Sequence, residues 1–367
     1  MHRTVSVVIS VLLALSSWAF SAEESVDELR RLAQQGDPRA QFLLADMYEQ
    51  GRGVRQDYVE AVKWYRKAAE QGNPEAQNNL GRRYETGEGV ARDYAEAVRW
   101  YRKAAEQGNA VAQSNLGFMY GNGRGVTQDD AEAVRWYRKA AEQGDAVAQH
   151  NLGFMYLNGR GVTQDDAEAV RWYRKGADQG DAAAQTGLGV MYARGRGVSQ
   201  DFAEAVKWYR KAADQGDANA QFNLGLMYDK GQGVTQDCAE AMKWYRKAAD
   251  QGNVTAQNNL GLMYDNGQGV TQDYAEAMKW YRKAADQGNV TAQGNVGRMY
   301  FRGYGVPQDY MLAYMWLNLA ASKRSGTDRV TTANLRDQAA AKLTTEQLLR
   351  AQQMAREWKP TGPERGK

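Results

Sequence analysis

The residue types that most often carry chemistry are scarce in this chain, and they are scattered. Among 367 residues there are two His, at positions 2 and 150, and one Cys, at 238. Nucleophilic catalysis needs a Ser, Cys or Thr beside a base that a third group orients. No Gly-x-Ser-x-Gly, Ser-x-x-Lys, His-Glu-x-x-His or Walker run is present to supply one. A single thiol excludes an intrachain disulfide framework and a multi-cysteine metal site. His150 falls at a position held elsewhere by Asn78, Ser114, Thr186, Phe222, Asn258 or Gly294, so it reads as a variable surface residue. Asp265, Asp273 and Glu276 match the first, ninth and twelfth positions of an EF-hand loop. Gly267 and Gly269, however, stand where that loop needs oxygens, and Val270 stands where it needs Gly, so calcium is rejected. The expectation is a protein that is not an enzyme and holds no cofactor and no metal.

One polar series remains. Asn79, Asn115, Asn151, Asn223, Asn259 and Asn295 recur in step, with Gly187 breaking the row and Leu43 beginning it. Each amide offers donors and an acceptor, so a ladder of them can hold the backbone of an extended peptide. The competing reading is that each Asn bonds a neighbouring helix and only supports stacking. Beside the row stand Phe118, Phe154, Val190, Leu226 and Leu262, with Arg82 and Arg298 at the same repeat position. These are read as core packing between neighbouring helices. An exposed apolar strip would mark a partner site instead.

The elements that position this row follow from a strict period. Trp recurs at 64, 100, 136, 172, 208, 244, 280 and 316, and every gap is 36 residues. Eight units begin at Asp37, Asn73, Asn109, Asp145, Asp181, Asp217, Asn253 and Asn289, and units 109–144 and 145–180 differ at five positions only. In unit 73–108, Asn73 is a good N-cap and Pro74 suits the first helical position. Ala76, Leu80 and Tyr84 then follow at helical spacing, which predicts helix A up to about residue 86. Gly81 inside that helix costs about 1 kcal/mol relative to Ala, so it implies a close helix approach. Gly87-Glu88-Gly89-Val90 breaks the chain. Asp93 and Glu96 form the pattern of a capping box that opens helix B, whose buried stripe is Ala97, Trp100, Tyr101, Ala104 and Ala105. Gly108 ends it. Asn253-Val254-Thr255 and Asn289-Val290-Thr291 are formal glycosylation sequons, but both Asn residues are read as caps. Such self-similarity is the mark of a solenoid, in which each unit buries its apolar face on its neighbours.

The ends differ. Arg3, the apolar run Val5 to Leu15 and the small residues up to Ala22 have the layout of a secretory signal peptide, with cleavage near residues 19 to 22. This predicts a periplasmic or secreted protein with no membrane span after cleavage. Residues 23–36 read as an N-terminal capping helix. After the repeats, Thr331 to Trp358 supplies cover for the apolar helix around Trp316, and residues 359–367 read as a frayed tail. Lys+Arg total 47 against 44 acids, giving a net charge of +3 and no basic stripe for nucleic acid. A mean hydropathy of −0.72 describes a water-facing protein. Cys238 takes a place filled by Tyr58, Tyr94, Phe202, Tyr274 and Tyr310, and reads as a small hydrophobe.

The Leu80-Gly81-x-x-Tyr84 core, the Gly-x-Gly-Val loop and the run Trp100 to Gly108 together resemble the Sel-one-like repeat (SLR) family, a relative of the tetratricopeptide repeats. The resemblance covers residues 37–324. It implies an all-α, right-handed α-solenoid of antiparallel helix pairs, with the A helices lining a concave face. It also implies a protein or peptide as partner, and an adaptor role in the cell envelope. Self-assembly, glycan binding, and a cell-wall or β-lactam hydrolase are the alternatives. Exported relatives linked to β-lactam binding are stapled by paired cysteines, which this chain does not have.

Overall fold

The computed structural model describes residues 22–323 and 325–362. The region read as a signal peptide lies outside them except for Ala22, as does the end of the tail from 363 on. The described residues form nineteen helices and no strand. They divide into two compact units, Met1–Gly176 and Ala177–Lys367. The first holds α1 (Ala22–Gln34), α2 (Pro38–Gln50), α3 (Tyr58–Glu70), α4 (Pro74–Thr86), α5 (Tyr94–Glu106), α6 (Ala110–Asn122), α7 (Asp130–Glu142), α8 (Ala146–Asn158) and most of α9 (Asp166–Asp178). The second holds α10 (Ala182–Arg194), α11 (Phe202–Asp214), α12 (Ala218–Lys230), α13 (Cys238–Asp250), α14 (Val254–Asn266), α15 (Tyr274–Asp286), α16 (Val290–Arg302), α17 (Tyr310–Lys323), α18 (Gly326–Ala340) and α19 (Thr345–Glu357). Even numbers from α2 to α16 are the A helices. Odd numbers from α3 to α17 are the B helices.

Within each unit consecutive helices pack on one another, the arrangement of a solenoid. The ends of each helix are set locally. Asn73 caps α4 by accepting from the Ala76 N–H at 2.7 Å, and Gly87 closes it in the left-handed region at φ 81°. The mid-helix Gly is explained by contact: a Cβ at position 81 would sit 2.8 Å from the Tyr101 ring, and one at 117 would sit 2.8 Å from the Tyr137 ring. The A helices α4 to α14 thus each accept a B-helix Tyr against a bare backbone, whereas α2 has Ala45 at that position. At Gly297 the facing residue is Leu317.

The core is shared between repeats. Trp136 of α7 packs among Trp100, Tyr101, Leu116 and Met119, and Trp172 joins Tyr137, Leu152 and Met155. Each cluster therefore needs a B helix, the next A helix and the Trp of the B helix after that. A buried Gln adds a polar stitch. Gln77 donates to the Ala69 carbonyl at 3.0 Å and accepts from Gln107 at 2.7 Å, and the same pair of bonds recurs at Gln113, Gln221 and Gln257. Sequence reasoning passed over this Gln because it sits next to no feature of obvious chemistry.

Two expectations are corrected. The Asp-x-x-Glu boxes close on one side only. Asp93 accepts from Glu96 N–H at 3.0 Å, but its own N–H already donates to the Tyr84 carbonyl at 2.9 Å. The Glu is left to pair with Arg99, and in other repeats with the Trp indole, as Glu132 does with Trp136 at 2.8 Å. The start of the tail is also not frayed. Thr361 N–H donates to the Asp286 carbonyl at 2.8 Å, and Trp358 meets Trp316 edge-on at 5.8 Å. At the ends of the array α1 packs on α2, and α18 and α19 pack on α17.

Candidate functional site

The six Asn residues all lie half-buried on A helices, one position before the buried Leu or Val. Three belong to the first unit and three to the second. Asn79 donates to the Tyr65 hydroxyl at 3.2 Å, and Asn115 donates to Asn78 at 3.0 Å, so α4 and α6 are joined side by side. Asn295 donates to Asn258 at 3.3 Å, and Asn258 donates to Asn259. These four amides are engaged within the array. Asn151 and Asn223 have no hydrogen-bond partner among the described residues. The row is therefore not one uniform ladder.

Beneath it lies the Tyr series of the B helices. Burial pushes the Tyr65 phenol upward, and the charge and hydrogen bond of Glu49 add to that. Tyr101 with Glu85, and Tyr281 with Asp265, repeat the pattern. Their hydroxyls donate to those carboxylates at 2.8 and 3.1 Å. The equivalents of Glu49 in repeats three to five are Gly121, Leu157 and Ala193, so the acid is missing there. Arginine follows the acid. Arg82 pairs with Glu49, and Arg83 reaches Glu49 at 3.1 Å from the core position that Met fills in later repeats. Arg298 pairs with Asp265.

The residues flanking the Asn row correct the packing expectation. Phe118 is 36% exposed, Phe154 41% and Leu262 42%, so these three are not core. Val190 and Leu226 are half-buried against core clusters, as expected. One turn before the Asn row, Val111 and Val147 are more than half exposed. α6 and α8 lie next to each other, because Arg160 after α8 donates to the Gly121 carbonyl at 2.9 Å and pairs with Asp130. The Arg160 hydrogen bond holds the Asp130 carboxyl below its ordinary value. Val111, Phe118, Val147 and Phe154 thus form an open apolar face with Asn115 and Asn151 between them. Sequence spacing placed Phe118 and Phe154 in register but carried no signal of which side of the helix stays uncovered.

His150 is half-buried, with its ring 5.7 Å from that of Tyr173. Cys238 is half-buried beside the Tyr245 cluster. Among the described residues no three His, Cys, Asp or Glu side chains are grouped to hold a metal ion. No described helix is long and apolar enough to cross a membrane.

An array of capped helix pairs with shared cores defines a helical-repeat protein. The Sel1 repeat family model matches eight consecutive stretches, 38–73, 74–109, 110–145, 146–181, 182–217, 218–253, 254–289 and 290–325. The chain belongs to the Sel1 repeat family. It is similar to the Sel1 repeat protein from Oxalobacter formigenes, with 37% identity and a TM-score of 0.60 over 88% of this chain and 92% of that one. It is also similar to c5321, a protective antigen present in uropathogenic Escherichia coli strains displaying an SLR fold. The identity there is 35% and the TM-score 0.50, over 92% of this chain and 87% of that one. No curated protein matches. Sel1 repeat proteins generally mediate protein–protein interactions, and the scaffold is typically non-catalytic.

Proposed function

We propose that the protein is a non-enzymatic adaptor of the bacterial cell envelope, exported to the periplasm or beyond. It binds a protein or peptide on the A-helix face, the face that the resemblance makes concave. The observation that carries this reading is the open apolar face of α6 and α8. Soluble monomers seldom leave neighbouring large apolar side chains uncovered without a use for them. Export is supported by Arg3, the apolar run after it and the small residues up to Ala22. A relative that is a protective antigen agrees with an exported array.

An envelope pull-down with the chain from residue 23 tests the reading. It is run beside Phe118→Ser/Phe154→Ser and beside Asn115→Ala/Asn151→Ala/Asn223→Ala. A protein captured by the wild type and lost by the Phe variant supports the proposal. Equal capture by all three moves the site off the A-helix face. Fractionation of cells making the full chain tests the location. The expected product is an exported protein whose first residue lies close to residue 22. An uncleaved cytoplasmic product would refute export.

A further inference from the structure

The side chains of α6 and α8 include no Asp, Glu, Lys or Arg: their sequences are AVAQSNLGFMYGN and AVAQHNLGFMYLN. The other A helices of the same unit differ. α2 carries Arg39, Asp46 and Glu49, and α4 carries Glu75, Arg82, Arg83 and Glu85. A helix without amphipathic contrast is normally covered on every side. These two are covered on one side only, and on the other Val111 stands 52% exposed and Val147 54%. At its edges Arg124 lies over the Phe118 ring at 5.0 Å and faces Glu85 at 3.7 Å, and Arg160 pairs with Asp130.

The charges beside this face are already paired, Arg124 with Glu85 and Arg160 with Asp130, so a charged ligand group set on it would lose hydration and meet no free counter-charge there. An uncharged apolar segment loses nothing comparable and gains burial. The amide of Asn151, half-buried in the middle of the face, adds a requirement of its own. Among the described residues it has no hydrogen-bond partner. A ligand helix has its backbone groups bonded internally, whereas an extended segment offers free N–H and C=O groups to an amide. The dimensions agree. Packed helices lie about 8–10 Å apart, and an extended chain covers that distance in about three residues at ~3.3 Å each.

We propose that the α6–α8 face, made by Val111, Phe118, Val147 and Phe154 around Asn151, binds an uncharged, extended peptide segment of a partner protein through its apolar side chains. This rests on the peptide-binding reading above and specifies the ligand. The flank formed by α2 and α4, with its Glu49–Arg82 pair, is not part of the site.

The test uses the full chain and a phage-displayed random peptide library. The most enriched peptide is then synthesised with a fluorescent label. It is titrated against wild type, Phe118→Ser/Phe154→Ser, Asn151→Ala and the off-face control Val59→Ser. Val59 is 52% exposed on α3. The proposal expects enriched sequences poor in charge and rich in apolar residues, with no helical signal from the bound peptide. It expects affinity to fall about tenfold or more in the Phe variant, less in Asn151→Ala, and not in the control. The substituted side chains are exposed, so circular dichroism and Tm should stay near wild type. Enrichment of acidic or basic peptides, unchanged affinity in the Phe variant, or a peptide bound as a helix each overturns the proposal while leaving a peptide-binding protein. An empty selection overturns both this inference and the adaptor reading.

Discussion

The helices α2 and α4 share a backbone plan with α6 and α8 and differ in what they place on the open side. In the first pair, Glu49 accepts from the Tyr65 hydroxyl and pairs with Arg82 and Arg83. In the second pair, Gly121 and Leu157 stand at the position of Glu49, and Phe118 and Phe154 stand at that of Arg82. The repeat scaffold tolerates either set because the open side contributes little to the shared core, which is built from Ala, Leu, Tyr and Trp in both pairs. One pair is closed by charge, and the other leaves apolar surface for something else to cover. The scaffold thus fixes where side chains stand, and each repeat then sets their chemistry separately.

The strongest way to break that comparison is to exchange the residues at the Arg83 position. Arg83 is 3% exposed and is held by Glu49 and Glu88, and its ring neighbour is Tyr58 at 5.4 Å. Its equivalent in repeat four, Met155, has Gly121 and Arg160 where Arg83 has its two acids. Met155→Arg should therefore lower stability by about 3–5 kcal/mol or more, the cost of a buried unpaired charge. Arg83→Met removes one partner only, and Glu49 keeps Arg82 and the Tyr65 hydroxyl, so the loss should be clearly smaller than that of Met155→Arg. Denaturant melts of both variants decide, and equal losses would show that the two pairs are not different environments.

Trp172→Ala should cost about 3–5 kcal/mol, because the ring is 4% exposed among Tyr137, Leu152 and Met155. In a nearly one-dimensional array the weakened step should also separate unfolding into two phases. One transition at an unchanged midpoint would count against a core shared between repeats.

Alkali probes the phenols beneath the Asn row. Desolvation raises Tyr65, Tyr101, Tyr137, Tyr209, Tyr245 and Tyr281, and at Tyr65 and Tyr101 a carboxylate adds to it, whereas at Tyr137 Arg160 works the other way. The folded state keeps these groups protonated. Its advantage is therefore complete below the free phenol pKa of about 10 and is lost as pH climbs above it. Absorbance of the phenolate should show them silent up to about pH 10 and then rising together with unfolding. Ordinary titration of all tyrosines in the folded protein would remove this distinction.

The smallest effects concern the surface pair. Arg82→Ala should cost no more than about 1 kcal/mol, since the Arg82 side chain is 46% exposed. Phe118→Arg would build the same kind of pair in repeat three, with Glu85 in the role of Glu49. Stability should change by no more than about 0.5 kcal/mol, while capture of the selected peptide should be lost. A stable Phe118→Arg protein that still binds the peptide would show that the charge-free face is not the site.

Much of the fold was legible. Asn73 and Pro74 signal a helix start by local hydrogen bonding, and Gly81 signals a close neighbour because no other reason offsets its cost inside a helix. The candidate site was legible only as a register. The Asn row and the Phe positions could be aligned, but whether Phe118 meets a neighbouring helix or solvent depends on the spacing of helices far apart in the chain. The same limit hid the role of Gln77, whose partners Ala69 and Gln107 are set by packing. It also hid the docking of Thr361 on Asp286.

The sequence by itself determined the all-α repeat, its period and its helix starts, because each of these is written in local residue patterns repeated eight times. Only the tertiary structure decided which Asn amides are spent inside the array, and that Asn151 is left over. It also decided that Phe118 and Phe154 stay uncovered on a charge-free face. Those outcomes depend on how one helix is set against the next, and that setting comes from the summed packing of whole side chains.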